Sequence, residues 1–257
     1  MNILAVGDVI GKPGRRALQR FLPGLINEYN VDLVIANGEN SAHGIGITVK
    51  TAQELLDSGV DVITSGNHIW AQREIVNCMD GDLPIIRPLN FPPGVAGRGY
   101  LIVDGVLVVN LIGRVFVGPA DCPFRAMDNL LSSLRPLPKM ILVDFHAEAT
   151  SEKIALGRYL DGRVSAVLGT HTHVGTTDSR IMPGGTAYVT DIGMVGPVES
   201  IIGDDVDNVL ESFLTGLPHR LSVGKGIAAL DAMLLDINAE TGKAADIQRI
   251  RREESEP

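Results

Sequence analysis

The sequence predicts an α/β protein, a single domain of two packed β-sheets with helices outside them. Three observations predict it. Short apolar runs alternate with helical patterns over the first third of the chain. The middle holds two strand patterns joined by an Asp-Gly turn. The apolar material is aliphatic: hydrophobic residues are 45% of the 257 and aromatic residues 4%, so Val, Ile, Leu and Ala must fill a large core.

The elements follow in order. ILAV (3–6) reads as a buried strand, and a helical pattern runs from Pro13 to Tyr29. Pro13 suits a first helical turn, and Pro23 is expected to kink or split the helix. DLVIA (32–36) is the next strand. TVKTAQELLDSG (48–59) is helical, with a Thr51–Glu54 capping-box spacing, an alternative earlier start at Thr48 and a Gly stop. VDVITS (60–65) is the third strand. Strands apolar on both sides and joined by helices imply a parallel sheet covered on both faces. GYLIVDGVLVVNLIG (99–113) reads as a hairpin about Asp104-Gly105. KMILVDF (139–145), VSAVLG (164–169) and TAYVTDIG (186–193) are further strands, with a helix over SEKIALGRYL (151–160). The tail reads as a long hairpin about Glu240–Lys243, with RIRRE (249–253) a solvated charge cluster and the last few residues frayed.

The totals exclude several function classes. A net charge of −9 argues against a protein that lives on long duplex nucleic acid. It leaves room for a small phosphorylated substrate, because a bound metal can reverse the field within one cleft. Two cysteines, Cys78 and Cys122, make no disulfide framework. The N-terminus MNILAVGDVIG lacks a basic region and Asp8 breaks its apolar run, unlike a signal peptide. No apolar stretch reaches the about 20 residues of a membrane span. A cytoplasmic protein without a membrane partner is expected, and homo-oligomerisation is compatible with its composition.

Polar residues gather where apolar runs end. ILAV leads to Asp8, DLVIA to Glu39 and Asn40, VDVITS to Asn67 and His68, KMILVDF to His146, and VSAVLG to His171 and His173. Each alone is an ordinary turn or cap residue. Together they place carboxylates, amides and imidazoles in the crevice where strand carboxyl ends converge in α/β sheets. Residues two apart in an extended segment share a side, their Cα atoms roughly 6–7 Å apart. His171 and His173, so disposed, suit two neighbouring metals, which in phosphoryl-transfer sites lie about 3.5–4 Å apart. Glu39, with two oxygens, could bridge them.

GD (7–8), GEN (38–40), GNH (66–68), FHAE (145–148) and GTHTHV (169–174) together resemble the calcineurin-like metallophosphoesterases. The strings GDVIGKPGR, NGENSAHGIGIT, SGNHIW and TDIGMVGP look like the YmdB-like branch of that superfamily, over nearly the whole chain. Asp8-Val9-Ile10 lacks the usual Asp-x-His, and Glu39 stands for the usual bridging Asp; Asn40 is implied as the replacement ligand. The resemblance implies a four-layer α/β/β/α sandwich. It implies Asp8, Glu39, Asn40 and His173 at a first metal, and Glu39, Asn67, His146 and His171 at a second. It points to 2′,3′-cyclic nucleotides as substrate and leans to iron or manganese.

With N and O ligands alone, iron, manganese and zinc all fit. Two divalent ions, two carboxylates and a hydroxide leave about one positive charge, enough to attract a phosphate. His68, next to Asn67, is assigned as general acid on the leaving oxygen, against the alternative of an orienting residue. His43, in the Gly-rich loop SAHGIG, is a weaker substrate-contact candidate and more readily a solvent-exposed histidine. His219 reads as a surface residue. GDVIGKPG fails as a P-loop: it is one residue short, and Pro13 replaces the Ser/Thr. No Gly-x-Ser-x-Gly elbow supports serine hydrolysis. The remaining alternatives are a phosphomonoesterase and a non-catalytic module that binds metal and nucleotide.

Overall fold

The computed structural model describes residues 1–255. β1 (Asn2–Val6) and β2 (Asp8–Val9) precede α1 (Gly11–Tyr29), β3 (Leu33–Asn37), α2 (Val49–Asp57) and β4 (Val62–Thr64). A 3₁₀ segment, Arg73–Cys78, lies in the long connection to β5 (Tyr100–Val103). Then come β6 (Val106–Ile112), α3 (Pro123–Ser133), β7 (Met140–His146), α4 (Thr150–Leu160), β8 (Ala166–Thr170), β9 (Arg180–Ile181) and β10 (Ala187–Val189). β11 (Met194–Pro197), α5 (Val206–Thr215), β12 (Ala228–Ile237) and β13 (Ala244–Glu253) complete the order.

The first sheet has seven strands in the order β2-β11-β12-β1-β3-β4, with β13 paired to β12. β1, β3 and β4 are parallel, and β12 runs antiparallel to β1. The second sheet has six strands, β5-β6-β7-β8-β10-β9. Its parallel centre is flanked by antiparallel β5 and β9.

Alternation along the strands builds the layers, because successive side chains leave a strand on opposite faces. On β1, Leu4 and Val6 pack with Leu18, Leu22 and Leu25 of α1 and Leu55 of α2. Ile3 and Ala5 point the other way and meet Val106, Val108, Leu142 and Leu168 of the second sheet. On that sheet's far face, Leu107, Val109, Val143 and Phe145 pack on Met127 and Leu130 of α3 and Leu156 and Leu160 of α4. Three apolar interfaces separate four layers, which is the α/β/β/α sandwich expected. No described helix is long and apolar enough to cross a membrane.

Several local expectations need correction. α1 is continuous through Pro23, which lies on its exposed face while Leu22 and Leu25 anchor the buried one. The capping box of α2 is Thr48 with Thr51, not Thr51 with Glu54; Glu54 pairs instead with Arg15 at 2.5 Å. RIRRE is no tail: it is the end of β13, ten residues long and paired to β12. Glu254 beyond it is buried and takes Arg16 at 2.7 Å, so fraying does not reach it. Fraying expected at residues 256–257 lies outside the described residues. The Asp104-Gly105 hairpin is as read, with φ of 50° and 80° at the turn. His219 is half-buried beside Glu211, 3.6 Å away.

Candidate metal centre

The carboxyl ends of the strands deliver the polar residues to one crevice shared by both sheets. The first sheet brings Asp8 at β2, Glu39 and Asn40 after β3, and Asn67 and His68 after β4. The second brings His146 as the last residue of β7, and His171 and His173 after β8. Asp8, Glu39 and His146 are fully buried and Asn40 nearly so.

His146 Nε2 is the hub. Glu39 Oε1 lies 2.9 Å away, Asn67 Oδ1 3.0 Å and His171 Nδ1 3.0 Å. Glu39, His146 and His171 form a group whose ligand atoms lie within 4.8 Å of one another. Beside it, His173 Nε2 stands 3.8 Å from Asp8 Oδ1 and 3.3 Å from the Asn40 amide. His68 closes the cluster, its main-chain N–H donating to Glu39 Oε2 at 2.9 Å and its ring Nδ1 facing Asn40 Oδ1 at 2.9 Å. Every expected residue but His43 thus meets in one place. His43 is exposed in the neighbouring loop.

Two carboxylate oxygens decide what the cluster can hold. Among the described residues, Asp8 Oδ1 and Glu39 Oε1 are the buried side-chain oxygens that accept no hydrogen bond. The contact of Glu39 Oε1 with His146 is an ion-pair distance without hydrogen-bond geometry. An orphaned buried acceptor costs roughly 1–3 kcal/mol, and a charged one more. Oxygen and imidazole ligands converging on both atoms fit divalent cations.

The electrostatics say the same. Burial pushes Asp8 up to about 6, against the pull of His173 and His146. Burial would also raise Glu39, but His146 and then His68 outweigh it and hold it at about 2. Burial would lower His146; the charges of Glu39, Asp8 and Asp144 win and push it up to about 9. Burial, then the charge on His146, drives His171 down to about 3. Burial likewise lowers His68, with Glu39 opposing. The carboxylates Glu39, Asp8 and Asp144 thus favour a protonated imidazole at the hub.

Supporting groups fix the imidazoles. The Thr170 hydroxyl donates to Asp144 Oδ1 at 2.7 Å, so it accepts from His146 Nδ1–H at 3.0 Å and turns Nε2 to the hub. The Thr64 hydroxyl and Asn37 amide also donate to Asp144. Glu148 holds His171 Nε2 at 3.2 Å, leaving Nδ1 for the hub. Asp191 Oδ2 takes Lys153 at 2.7 Å and both the N–H and hydroxyl of Thr172, at 3.1 and 2.7 Å, pinning the turn between the two histidines. Arg249 grips the carbonyls of Thr176, Asp191 and Ile192 from β13. Gly193 O accepts from the N–H of Asp8 at 3.1 Å, which joins this segment to the first sheet. Gly66 must lack a Cβ because one would overlap the His146 ring. Sequence reasoning passed over Asp144, Thr170, Lys153 and Asp191, and saw Glu148 only as a neighbour of His146.

The route to convergence differs from the extended geometry expected. His171 and His173 have φ of 99° and 65°, so they stand in left-handed turns, not a strand. That backbone sends His171 to His146 and His173 to Asp8, more divergent than a strand would. Asn67 and His68 likewise occupy a turn, yet still face different partners.

Comparison with known proteins agrees with this architecture. Over 254 residues the chain is 47% identical to a 2′,3′-cyclic-nucleotide 2′-phosphodiesterase of Bacillus subtilis, covering 97% of this chain and 96% of that protein. A crystal structure of a hypothetical protein from Thermus thermophilus superposes with a TM-score of 0.93 at 46% identity, covering 99% of this chain and all of that one. Another, described as a novel phosphatase from Mycoplasma pneumoniae, gives 0.94 at 35% identity, covering all of this chain and 95% of that one. A family model described as YmdB-like protein matches residues 4–250, and the chain belongs to that family.

Proposed function

We propose that this protein is a phosphodiesterase that opens 2′,3′-cyclic nucleotides at a binuclear metal centre. The observation that carries the reading is the pair of orphaned buried oxygens, Asp8 Oδ1 and Glu39 Oε1, each beside imidazole nitrogens. The Bacillus subtilis relative supports the substrate class. Asp8, Glu39, Asn40 and His173 would hold one cation; Glu39, Asn67, His146 and His171 would hold the other. When bound, two cations supply hydroxide near neutral pH and neutralise charge on the phosphoryl oxygens. Iron or manganese is the proposed pair.

Hydrolysis joins a water oxygen to phosphorus and breaks the bond from phosphorus to O2′, leaving a 3′-phosphate. The departing oxygen needs a proton, and His68 supplies it. To serve as a ligand, Asn40 would turn its amide through half a rotation so that Oδ1 faces His173 and Nδ2 faces His68. Its Nδ2–H then donates to His68 Nδ1, which leaves the transferable proton on Nε2. Glu39, by accepting the His68 N–H, keeps that ring above the centre.

The nearest alternative is a phosphomonoesterase. Turnover of 2′,3′-cyclic AMP against 3′-AMP separates the two. The proposal expects the diester to be consumed and the monoester to accumulate. Release of inorganic phosphate from 3′-AMP at a similar rate would overturn it. Metal analysis after anaerobic purification tests the cation assignment; a zinc-only preparation with full turnover would replace it.

A further inference from the structure

The chain is acidic, yet the charged side chains that line one groove beside the centre are all basic. It has a volume of about 580 Å³, and its charged or titratable lining residues are Lys12, Arg16, His43, Arg220 and Lys225. No Asp or Glu lines it. Arg16 is held by Glu254; among the described residues, Lys12, Arg220 and Lys225 make no ion pair. Both walls are hydrogen-bonded to segments that border the candidate centre. On one side, the N–H of Gly11 donates to Asn40 O at 2.9 Å, and His43 is three residues beyond Asn40. On the other, Gly224 N–H donates to Gly203 O at 2.9 Å, and the adjacent Ile202 O faces His173 Nδ1 at 2.6 Å. The methyls of Val223 pack where a Cβ on Gly11 or Gly44 would sit, which holds the walls together.

We infer that this groove binds the upstream phosphates of an oligoribonucleotide whose 2′,3′-cyclic end enters the metal centre. A free cyclic mononucleotide carries its one phosphate into the centre and leaves such a groove nothing to bind. An RNA strand cut by internal attack of its own 2′-hydroxyl ends in the same cyclic phosphate, followed by a row of phosphodiesters. Single-stranded backbone in a cationic groove is a recurrent mode of binding, and an end-bound strand is compatible with a net charge unsuited to long duplexes. The inference rests on the phosphodiesterase reading for its substrate end, not for the groove.

The test compares a tetraribonucleotide ending in 2′,3′-cyclic phosphate with 2′,3′-cyclic AMP. The proteins are the wild type and a Lys12→Ala/Arg220→Ala/Lys225→Ala variant. Wild type should favour the tetranucleotide by about 10-fold or more in kcat/KM, through KM, and the variant should lose that preference while its mononucleotide turnover stays the same. In parallel, anisotropy on both proteins as purified measures binding of a labelled tetranucleotide with a 3′-phosphate, and of hexaglutamate. Three phosphate contacts predict a slope of log K against log salt of about −2 for wild type, lost in the variant. Equal kcat/KM for the two substrates, or a tetranucleotide preference kept by the variant, would overturn the inference, as would hexaglutamate binding as well as RNA. If neither diester turns over, the phosphodiesterase reading fails, and the salt slope still decides the groove.

Discussion

At His146 the metal-free centre stores its positive charge as a proton. The ring's value of about 9 arises because Glu39, Asp8 and Asp144 together outweigh burial. A cation bound at Nε2 must displace that proton. Titrating metal into the metal-free protein should therefore release about one proton more at pH 7.5 than above pH 10, on top of any proton lost by metal-bound water. Calorimetry in buffers of different ionisation enthalpy reads this directly, and release that does not depend on pH would contradict it. The sign for stability follows. The folded value lies above the ordinary 6.5, so this contribution is complete below that pH and is lost as pH rises through about 9. The Tm of the metal-free protein should fall between pH 7 and pH 10. At His68 the prediction is catalytic. His68→Gln should keep both metals and lose turnover by about 10²–10⁴-fold, typical of a missing proton donor; full activity at unchanged metal content would remove it from the chemistry. The residues of the cluster were legible because each follows an apolar run. Asp144 was not. In KMILVDF it reads as one more strand residue, and its partners Thr64 and Thr170 lie 80 and 26 positions away.

Among the helices, α4 supports the centre through a buried ion pair. Its Lys153 is buried to 1% exposure and meets Asp191, which is fully buried and holds Thr172. Removing one partner of such a pair leaves a bare charge inside, at a cost of roughly 3–5 kcal/mol. Lys153→Met should lower unfolding stability by about that amount in denaturant titration, and lower bound metal because the turn between His171 and His173 loses its anchor. Wild-type stability and metal content would show the pair to be idle. Most strand positions and the helices α1, α2 and α4 were readable from period and punctuation, whereas α3 and α5 went unread. What escaped was what tertiary contact decides. Pro23 does not divide α1 because the buried side of that helix holds it together. The terminal hairpin of β12 and β13 is as read, but its arginine-rich end, 249–253, is paired strand and not a solvated cluster because it lies along β12 and Arg249 finds three carbonyls.

Over the whole molecule, the layer order could be anticipated because apolar strands on two sheets need two helical covers. Which sheet supplies each residue of the crevice could not, since no local pattern encodes it. Asp8, Glu39, Asn40 and Asn67 come from one sheet and His146, His171 and His173 from the other. Cations between them would bind only the assembled form, and ligand at a thousandfold its Kd adds about 4 kcal/mol. At about 2–4 °C per kcal/mol for a chain of this size, stripping the metals should lower Tm by roughly 10 °C. Thermal melts before and after chelation measure it, and an unchanged Tm would disconnect the centre from the packing. With both sheets contributing to the cage, cations held there would act as rivets across a seam. Chains starved of metal should part there first, baring Ile3 and Leu142 to proteases, so that scarcity of the ion limits the lifetime of the protein as well as its turnover.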